Sequence, residues 1–115
     1  QLRAPRVLFR TDSFPNPEHF NQDFNALSPE LVAMAFDSGV RLIGLDTPSV
    51  DPFSSKELES HQAIADRDMA ILEGVVLSEV VDGFYTLVAF PLKIAGADAS
   101  PVRAILLKEK LGQVD

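Results

Sequence analysis

A helix with its own start and stop signals, followed at once by a strand, is the feature that most constrains the fold. Ser28-Pro29-Glu30 predicts a helix start, because serine suits the N-cap, proline the first helical position and an acid the first turn. The apolar residues that follow share one face of this helix: Leu31, Val32, Ala35 and Phe36. Gly39 supplies a left-handed C-cap, and residues 40–45 form a strand. So short a link between helix and strand predicts an α/β unit.

The rest of the chain adds one helix and several strands to this unit. Strands are predicted over residues 7–9, 40–45, 71–73, 84–90 and 102–107, and a second helix over residues 60–67. Residues 84–90 are almost wholly apolar, which is typical of a central strand buried on both faces. A chain of 115 residues suits one domain, residues 1–115, and residues 108–115 are expected to form a polar tail.

Composition excludes several classes of function. The net charge is −7 and the basic residues are scattered, so nucleic acid is excluded as a partner, because its phosphates would be repelled. The absence of cysteine excludes disulfides, thiolate metal sites and cysteine nucleophiles. No apolar run approaches the roughly 20 residues that a membrane-spanning helix needs. The first residues lack the apolar core of a signal peptide, and a cytoplasmic location is expected.

His61 and Glu73 are the strongest candidates for chemistry. Imidazole and carboxylate are ordinary zinc ligands, and residues near a helix start and on the following strand can project into one cleft. Apolar residues flank Glu73 on both sides, which predicts a buried carboxylate that needs a partner or a metal. The alternative is a surface histidine and a surface glutamate with no common role.

Residues 46–52 form a second candidate, because they place two acids and a serine directly after a strand. Active sites of α/β folds favour that position. We predict instead a loop in which Asp46, Ser49 and Asp51 bond nearby backbone amides and shape the cleft without binding metal. His19 lies in a loop rich in proline and asparagine and is expected to be solvated.

Several blocks of sequence, in order, resemble the bacterial kynurenine formamidases of the metal-dependent cyclase family. The blocks are residues 42–52, Ser55-Lys56 with His61 after it, residues 70–74, residues 84–93 and residues 98–104. The Asp-Thr-Pro-Ser-Val-Asp-Pro loop and the Asp-Ala-Ser-Pro-Val-Arg segment resemble the formamidase branch in particular. The resemblance runs over residues 6–107. It implies a swivelling β/β/α, cyclase-like α/β fold with a mixed sheet and flanking helices, of which only the C-terminal part is present.

The resemblance also implies an activity: zinc-dependent hydrolysis of N-formyl-L-kynurenine to L-kynurenine and formate, in tryptophan degradation. In the family a histidine and a glutamate at this separation bind metal, which carries over to His61 and Glu73. Two zinc ions share the family's site, although Mn²⁺ or Fe²⁺ would suit the same ligands. One ion generates hydroxide near neutral pH, and the pair can polarise the formyl carbonyl. A homo-oligomer, a dimer in particular, is implied as well.

The chain departs from the family in lacking the motif His-x-Gly-Thr-His-x-Asp-x-Pro, which supplies the other metal ligands upstream. It also has Gln62 where many relatives have histidine and Glu59 where they have proline. We therefore expect a truncation, a cleaved piece or a degenerate half that is inactive alone and whose partner is the missing N-terminal half. Two alternatives stay open: another cyclase-family hydrolase of amides or lactones, and a non-catalytic binding or oligomerisation module.

Overall fold

The computed structural model describes residues 2–108 and divides into two compact units after Glu79. The first unit holds, in chain order, β1 (Arg6–Phe9), α1 (Pro29–Asp37), β2 (Leu42–Leu45), α2 (Glu59–Ala65) and β3 (Ala70–Leu72). The second unit holds β4 (Thr86–Val88) and β5 (Ile105–Leu107). The predicted polar tail lies, apart from Lys108, outside the described residues.

The first unit is built on a three-stranded parallel sheet in the order β1-β2-β3. Val7 pairs with Ile43, and Ile43 with Ile71, so the three strands are in register across the sheet. Parallel neighbours need a crossover, and α1 and α2 provide the two connections. All three strands therefore end at the same edge of the sheet, where the residues that follow them can meet.

The core of the first unit lies between the sheet and its helices. Its fully or almost fully buried members are Leu27, Val32, Ala35, Val40, Ile43, Leu45, Val50 and Ile64. Ile43 and Leu45 come from the central strand, Val32 and Ala35 from α1, and Ile64 from α2. This core fixes both helices on the sheet, and with them the loop that contains Val50.

The predicted boundaries of α1 are confirmed. The hydroxyl of Ser28 accepts a hydrogen bond from the amide of Leu31 at 3.1 Å, which is the expected N-cap contact. Pro29 is the first helical residue. Gly39, at φ +95°, turns the chain out of the helix as a left-handed residue, which glycine adopts at little cost.

Gly44 lets the three parallel strands pack closely, and replacing it tests this packing. A Cβ at Gly44 would lie against Leu8 Cδ2 and 3.2 Å from the carbonyl oxygen of Leu72. We expect Gly44→Ala to lower the free energy of unfolding by about 1–3 kcal/mol, as overpacking of a core does. Urea denaturation measures this change, with Gly83→Ala as control because a Cβ there meets nothing nearer than Tyr85 Cε2 at 3.7 Å. Equal stability of the two variants would contradict close packing at Gly44.

In the second unit, the prediction of a central strand over residues 84–90 was wrong in both length and burial. The strand is shorter, Thr86–Val88, and pairs antiparallel with β5, its one sheet neighbour within residues 2–108. Its residues are half-buried, while Phe84 is 71% exposed and Phe90 80% exposed. The strand is not buried on both faces because the described chain supplies neither a second neighbouring strand nor cover for these rings.

The two units combine a parallel sheet, an antiparallel strand pair and two helices, so the α/β architecture with both kinds of strand pairing is confirmed. Neither helix in the part of the chain described is long and apolar enough to cross a membrane.

Candidate functional site

The candidate residues lie together at the carboxyl edge of the parallel sheet. Glu73 directly follows β3, and Asp46 directly follows β2. The chain turns at Gly74, where φ is +69°, and the Gly74 amide donates to the carbonyl oxygen of Thr47 at 2.8 Å. This bond holds the end of β3 against the loop of residues 46–52. The start of α2, which carries His61 as its third residue, lies against the same loop.

His61 and Glu73 contact each other at this edge, as expected from the sequence. Nε2 of His61 lies 3.3 Å from Oε1 of Glu73, and the two side chains are 33% and 30% exposed. Oε1 also accepts a hydrogen bond from the amide of Val50 at 3.0 Å. The pair is therefore held by the loop and remains open to solvent.

The expectation that Glu73 is buried was wrong. Side chains alternate along a strand, and Leu72 takes the inward position at the end of β3. Glu73 comes next and keeps contact with water. Of its apolar neighbours, Ile71 and Leu72 pack inward, whereas Val76 is 67% exposed. The carboxylate of Glu73 itself contacts His61 and the Val50 amide.

Asp51 contacts His61 and the start of α2, and its side chain is only 3% exposed. One oxygen, Oδ2, lies 2.7 Å from Nδ1 of His61 and accepts from the backbone amide of His61 at 2.9 Å. The other oxygen accepts from the amide of Ser60 at 2.8 Å. Leu58, the N-cap residue of α2, has no side-chain capping bond. Asp51 therefore caps α2 from the preceding loop and also contacts the His61 imidazole.

The charge state of Asp51 follows from these contacts. Burial alone raises the pKa of Asp51, but the backbone amides of His61 and Ser60 and the His61 imidazole outweigh it, so the pKa falls below its ordinary value of 3.8. The group is a carboxylate at neutral pH, with both oxygens occupied by donors of α2.

Sequence reasoning assigned Asp51 to loop shaping and missed its contact with His61. A signal was present: leucine is a poor N-cap, so a helix starting after Leu58 needs a capping acceptor from outside its own first turn. Asp51 was the nearest preceding aspartate, a residue type that caps helices well.

The other loop residues bond the backbone, as predicted. Oδ2 of Asp46 accepts from the amides of Thr11 and Asp12 at 3.0 and 2.9 Å, and its Oδ1 accepts from the Thr11 hydroxyl at 2.7 Å. Ser49 Oγ accepts from the amide of Asp51 at 3.0 Å. The Asp46 bonds tie the loop to the residues after β1, and the Ser49 bond shapes the loop itself. Together they pre-organise the edge where His61 lies. His19 is exposed in its loop, as expected.

The donor atoms of His61 and Glu73 have the chemistry and spacing of metal ligands. Two ligand atoms on one tetrahedral zinc ion, each about 2.1 Å from it, are about 3.4 Å apart. The observed separation of Nε2 and Oε1 is 3.3 Å. Within residues 2–108, no three His, Cys, Asp or Glu side chains are grouped to hold a metal ion. The described residues thus fit two ligand positions.

Comparison with known proteins gives relatives by sequence, although no family model matches the chain. The chain is 52% identical over 102 residues to a kynurenine formamidase of Bordetella petrii, covering 89% of this chain and 49% of the relative. It is 53% identical over 104 residues to a kynurenine formamidase of Sphingopyxis alaskensis, covering 90% of this chain and 49% of the relative. The chain therefore spans about half the length of the curated relatives it matches.

Solved structures agree with these relatives. A potential metal-dependent hydrolase with cyclase activity superposes with a TM-score of 0.78 at 29% identity, over 87% of this chain and 49% of its own. A predicted metal-dependent hydrolase from Bacillus stearothermophilus superposes equally well, with a TM-score of 0.78 and 29% identity, over 87% of this chain and 48% of its own. The cyclase-like α/β fold class is thereby confirmed. Over nine-tenths of its length, the chain is a homologue of the bacterial kynurenine formamidases and shares its fold with metal-dependent hydrolases of the cyclase family.

Proposed function

We propose that this chain is the C-terminal portion of a kynurenine formamidase, which hydrolyses N-formyl-L-kynurenine to L-kynurenine and formate in tryptophan degradation. The observation that carries the proposal is the 3.3 Å approach of His61 Nε2 to Glu73 Oε1, in a chain 52% identical to a protein of that name. The similarity supports the substrate, and the paired donor atoms support metal-dependent hydrolysis.

His61 and Glu73 are the proposed metal ligands of this chain. Imidazole nitrogen and carboxylate oxygen suit zinc, of which we propose two ions in the complete site, and they also suit Mn²⁺ or Fe²⁺. When bound, such an ion supplies a Lewis acid that polarises a carbonyl and makes hydroxide available near neutral pH. Because residues 2–108 fit only two ligand positions, the remaining ligands are proposed to come from outside this stretch.

The residues of this chain have distinct roles in the proposed reaction. Water adds to the formyl carbon, the bond from that carbon to the aryl nitrogen breaks, the nitrogen takes a proton and formate leaves. His61 and Glu73 lie at the carboxyl edge of the parallel sheet, where the proposed reaction takes place. The Val50 amide fixes Glu73, and the tethered loop of residues 46–52 forms the cleft wall beside them. The group that moves the proton is proposed to lie in the other half of the enzyme.

The exposed apolar rings of the second unit support a larger assembly. Phe84 and Phe90 are mostly exposed to solvent, as are Val81 and Leu92, and half of Ile94 is exposed. Large exposed apolar surfaces are typical of interfaces. We propose that polypeptide equivalent to the remaining half of the relatives covers them. We call this chain together with that half the assembled protein. We propose further that the assembled protein is cytoplasmic and forms a homo-oligomer, a dimer in particular. Residues 1–115 are proposed to be part of one cyclase-family domain.

An assay of the assembled protein tests the proposed function. We expect zinc-dependent release of formate from N-formyl-L-kynurenine, lost on treatment with a chelator and restored by zinc. Simple aryl amides and lactones of similar size serve as comparison substrates. Turnover of a lactone with none of N-formyl-L-kynurenine would favour a different cyclase-family hydrolase. No turnover of any of them, by a protein that binds metal, would favour a non-catalytic role.

A further inference from the structure

We propose that Asp51 is a positioning residue, which keeps the proton of the neutral His61 ring on Nδ1 and so presents the lone pair of Nε2 to Glu73. The carboxylate oxygen Oδ2 lies 2.7 Å from Nδ1, a short distance that is typical of a charge-assisted hydrogen bond. A carboxylate only accepts hydrogen bonds. Nδ1 must therefore be the donor, and in a neutral ring Nε2 is then left without a hydrogen.

The orientation of the ring is fixed as firmly as the position of its proton. Oδ2 of Asp51 accepts from both the backbone amide and the ring of His61, which ties the side chain to its own helix. Oδ1 is held by the Ser60 amide at 2.8 Å, so the carboxylate cannot rotate away without losing the cap of α2. Because the Asp51 side chain is almost wholly buried, water competes poorly for these bonds.

The geometry on the Nε2 side of the His61 ring indicates the purpose of holding the proton on Nδ1. Oε1 of Glu73 already accepts from the Val50 amide at 3.0 Å. With the proton on Nδ1, the ring presents a second acceptor, Nε2, 3.3 Å from that oxygen. Two acceptors so close repel each other unless a cation lies between them. This part of the inference rests on the proposed function: Asp51 prepares His61 and Glu73 for a metal ion before the ion arrives.

The position of the proton can be measured directly by ¹⁵N NMR, after selective ¹⁵N-histidine labelling of this chain in the assembled protein. The chain has two histidines, and the exposed His19 serves as an internal reference. In metal-free protein at alkaline pH, where an ordinary imidazole is neutral, we expect His61 to carry its hydrogen on Nδ1. His19 should instead favour the Nε2–H form that prevails in free histidine. A neutral His61 with its hydrogen on Nε2 would overturn the proposal, whatever the behaviour of any variant.

Substitution of Asp51 tests the effect on metal binding, measured as zinc affinity by competition with a chromophoric chelator. Asp51→Asn turns one accepting oxygen into a donor, so it should shift the His61 hydrogen toward Nε2 and weaken zinc binding about 10–100-fold. Asp66→Asn is the matched control, because Asp66 is an exposed acid at the C-cap of α2 that takes no part in the proposed site, and it should change neither quantity. An Asp51→Asn protein that keeps the parent's tautomer and zinc affinity would refute the positioning role.

The two proposals can fail separately. A parent protein with the hydrogen on Nδ1 but no affinity for zinc would overturn the metal-dependent function and leave the proton assignment of His61 standing. Zinc binding by a parent protein whose neutral His61 carries the hydrogen on Nε2 would do the reverse.

Discussion

Replacing His61 with alanine in the assembled protein is expected to lower both zinc content and kcat/KM for N-formyl-L-kynurenine by at least about a hundredfold. Residues that only support a ligand typically contribute 10–100-fold to metal affinity or activity, so loss of a ligand should cost no less. Glu73→Gln should behave similarly, because an amide oxygen is neutral and binds a divalent cation more weakly than a carboxylate. Metal analysis of the purified variants and initial-rate kinetics measure the two effects.

The chain offers a matched control for each substitution. His19→Ala removes the other histidine, which is exposed in a loop, and Glu59→Gln alters an exposed acid at the start of α2. Both should retain the metal content and activity of the parent. A His61→Ala protein with normal zinc content and full turnover would remove His61 from the site, and the same result with Glu73→Gln would remove Glu73.

The second large effect concerns this chain by itself: the 115 residues alone are expected to hydrolyse no N-formyl-L-kynurenine. A catalytic zinc site normally takes three protein ligands and a water molecule, and residues 2–108 place two suitable side chains together. The apolar rings of the second unit would also be uncovered, which favours association or aggregation. The measurement is formate release by a preparation whose mass matches this chain and nothing longer.

Co-expression with polypeptide equivalent to the other half of the relatives should restore activity, and the restored complex should be isolated as one species. The control is the same experiment with His61→Ala in this chain, which should restore the complex and not the activity. Robust zinc-dependent turnover by the chain alone would contradict the two-ligand account.

Local signals were enough to predict α1, because every one of them acts within a few residues. Ser28 bonds the Leu31 amide, Pro29 fits the first turn and Gly39 takes the left-handed conformation, all independently of the rest of the fold. The α/β unit that α1 and β2 form was predicted from the short link at Gly39. These are the parts of the fold that short-range physics determines.

Residues 84–90 show where such reasoning fails. An apolar run reports that a segment avoids water, but it does not say which polypeptide covers it. In the described chain β4 has one neighbouring strand, and Phe84 and Phe90 are exposed. The prediction of burial on both faces needed a partner that the local sequence cannot specify.

The candidate site was likewise predicted only in part from the sequence. The residue types of His61 and Glu73, together with the family resemblance, identified the pair, and the structure brings the two side chains into contact. Asp51 was assigned to the loop alone, because its contact with the imidazole depends on where α2 begins. That start is set by a tertiary bond from Asp51 itself, so the helix boundary and the role of the acid could only be found together.

Zinc binding by His61 and Glu73 is tested most directly by an anomalous-scattering map of zinc-loaded crystals of the assembled protein, from data collected at the zinc absorption edge. We expect a peak between His61 and Glu73, about 2.0–2.2 Å from Nε2 and from a carboxylate oxygen, with further ligands from outside residues 2–108. A fully loaded protein whose zinc peaks all lie away from this pair would contradict it.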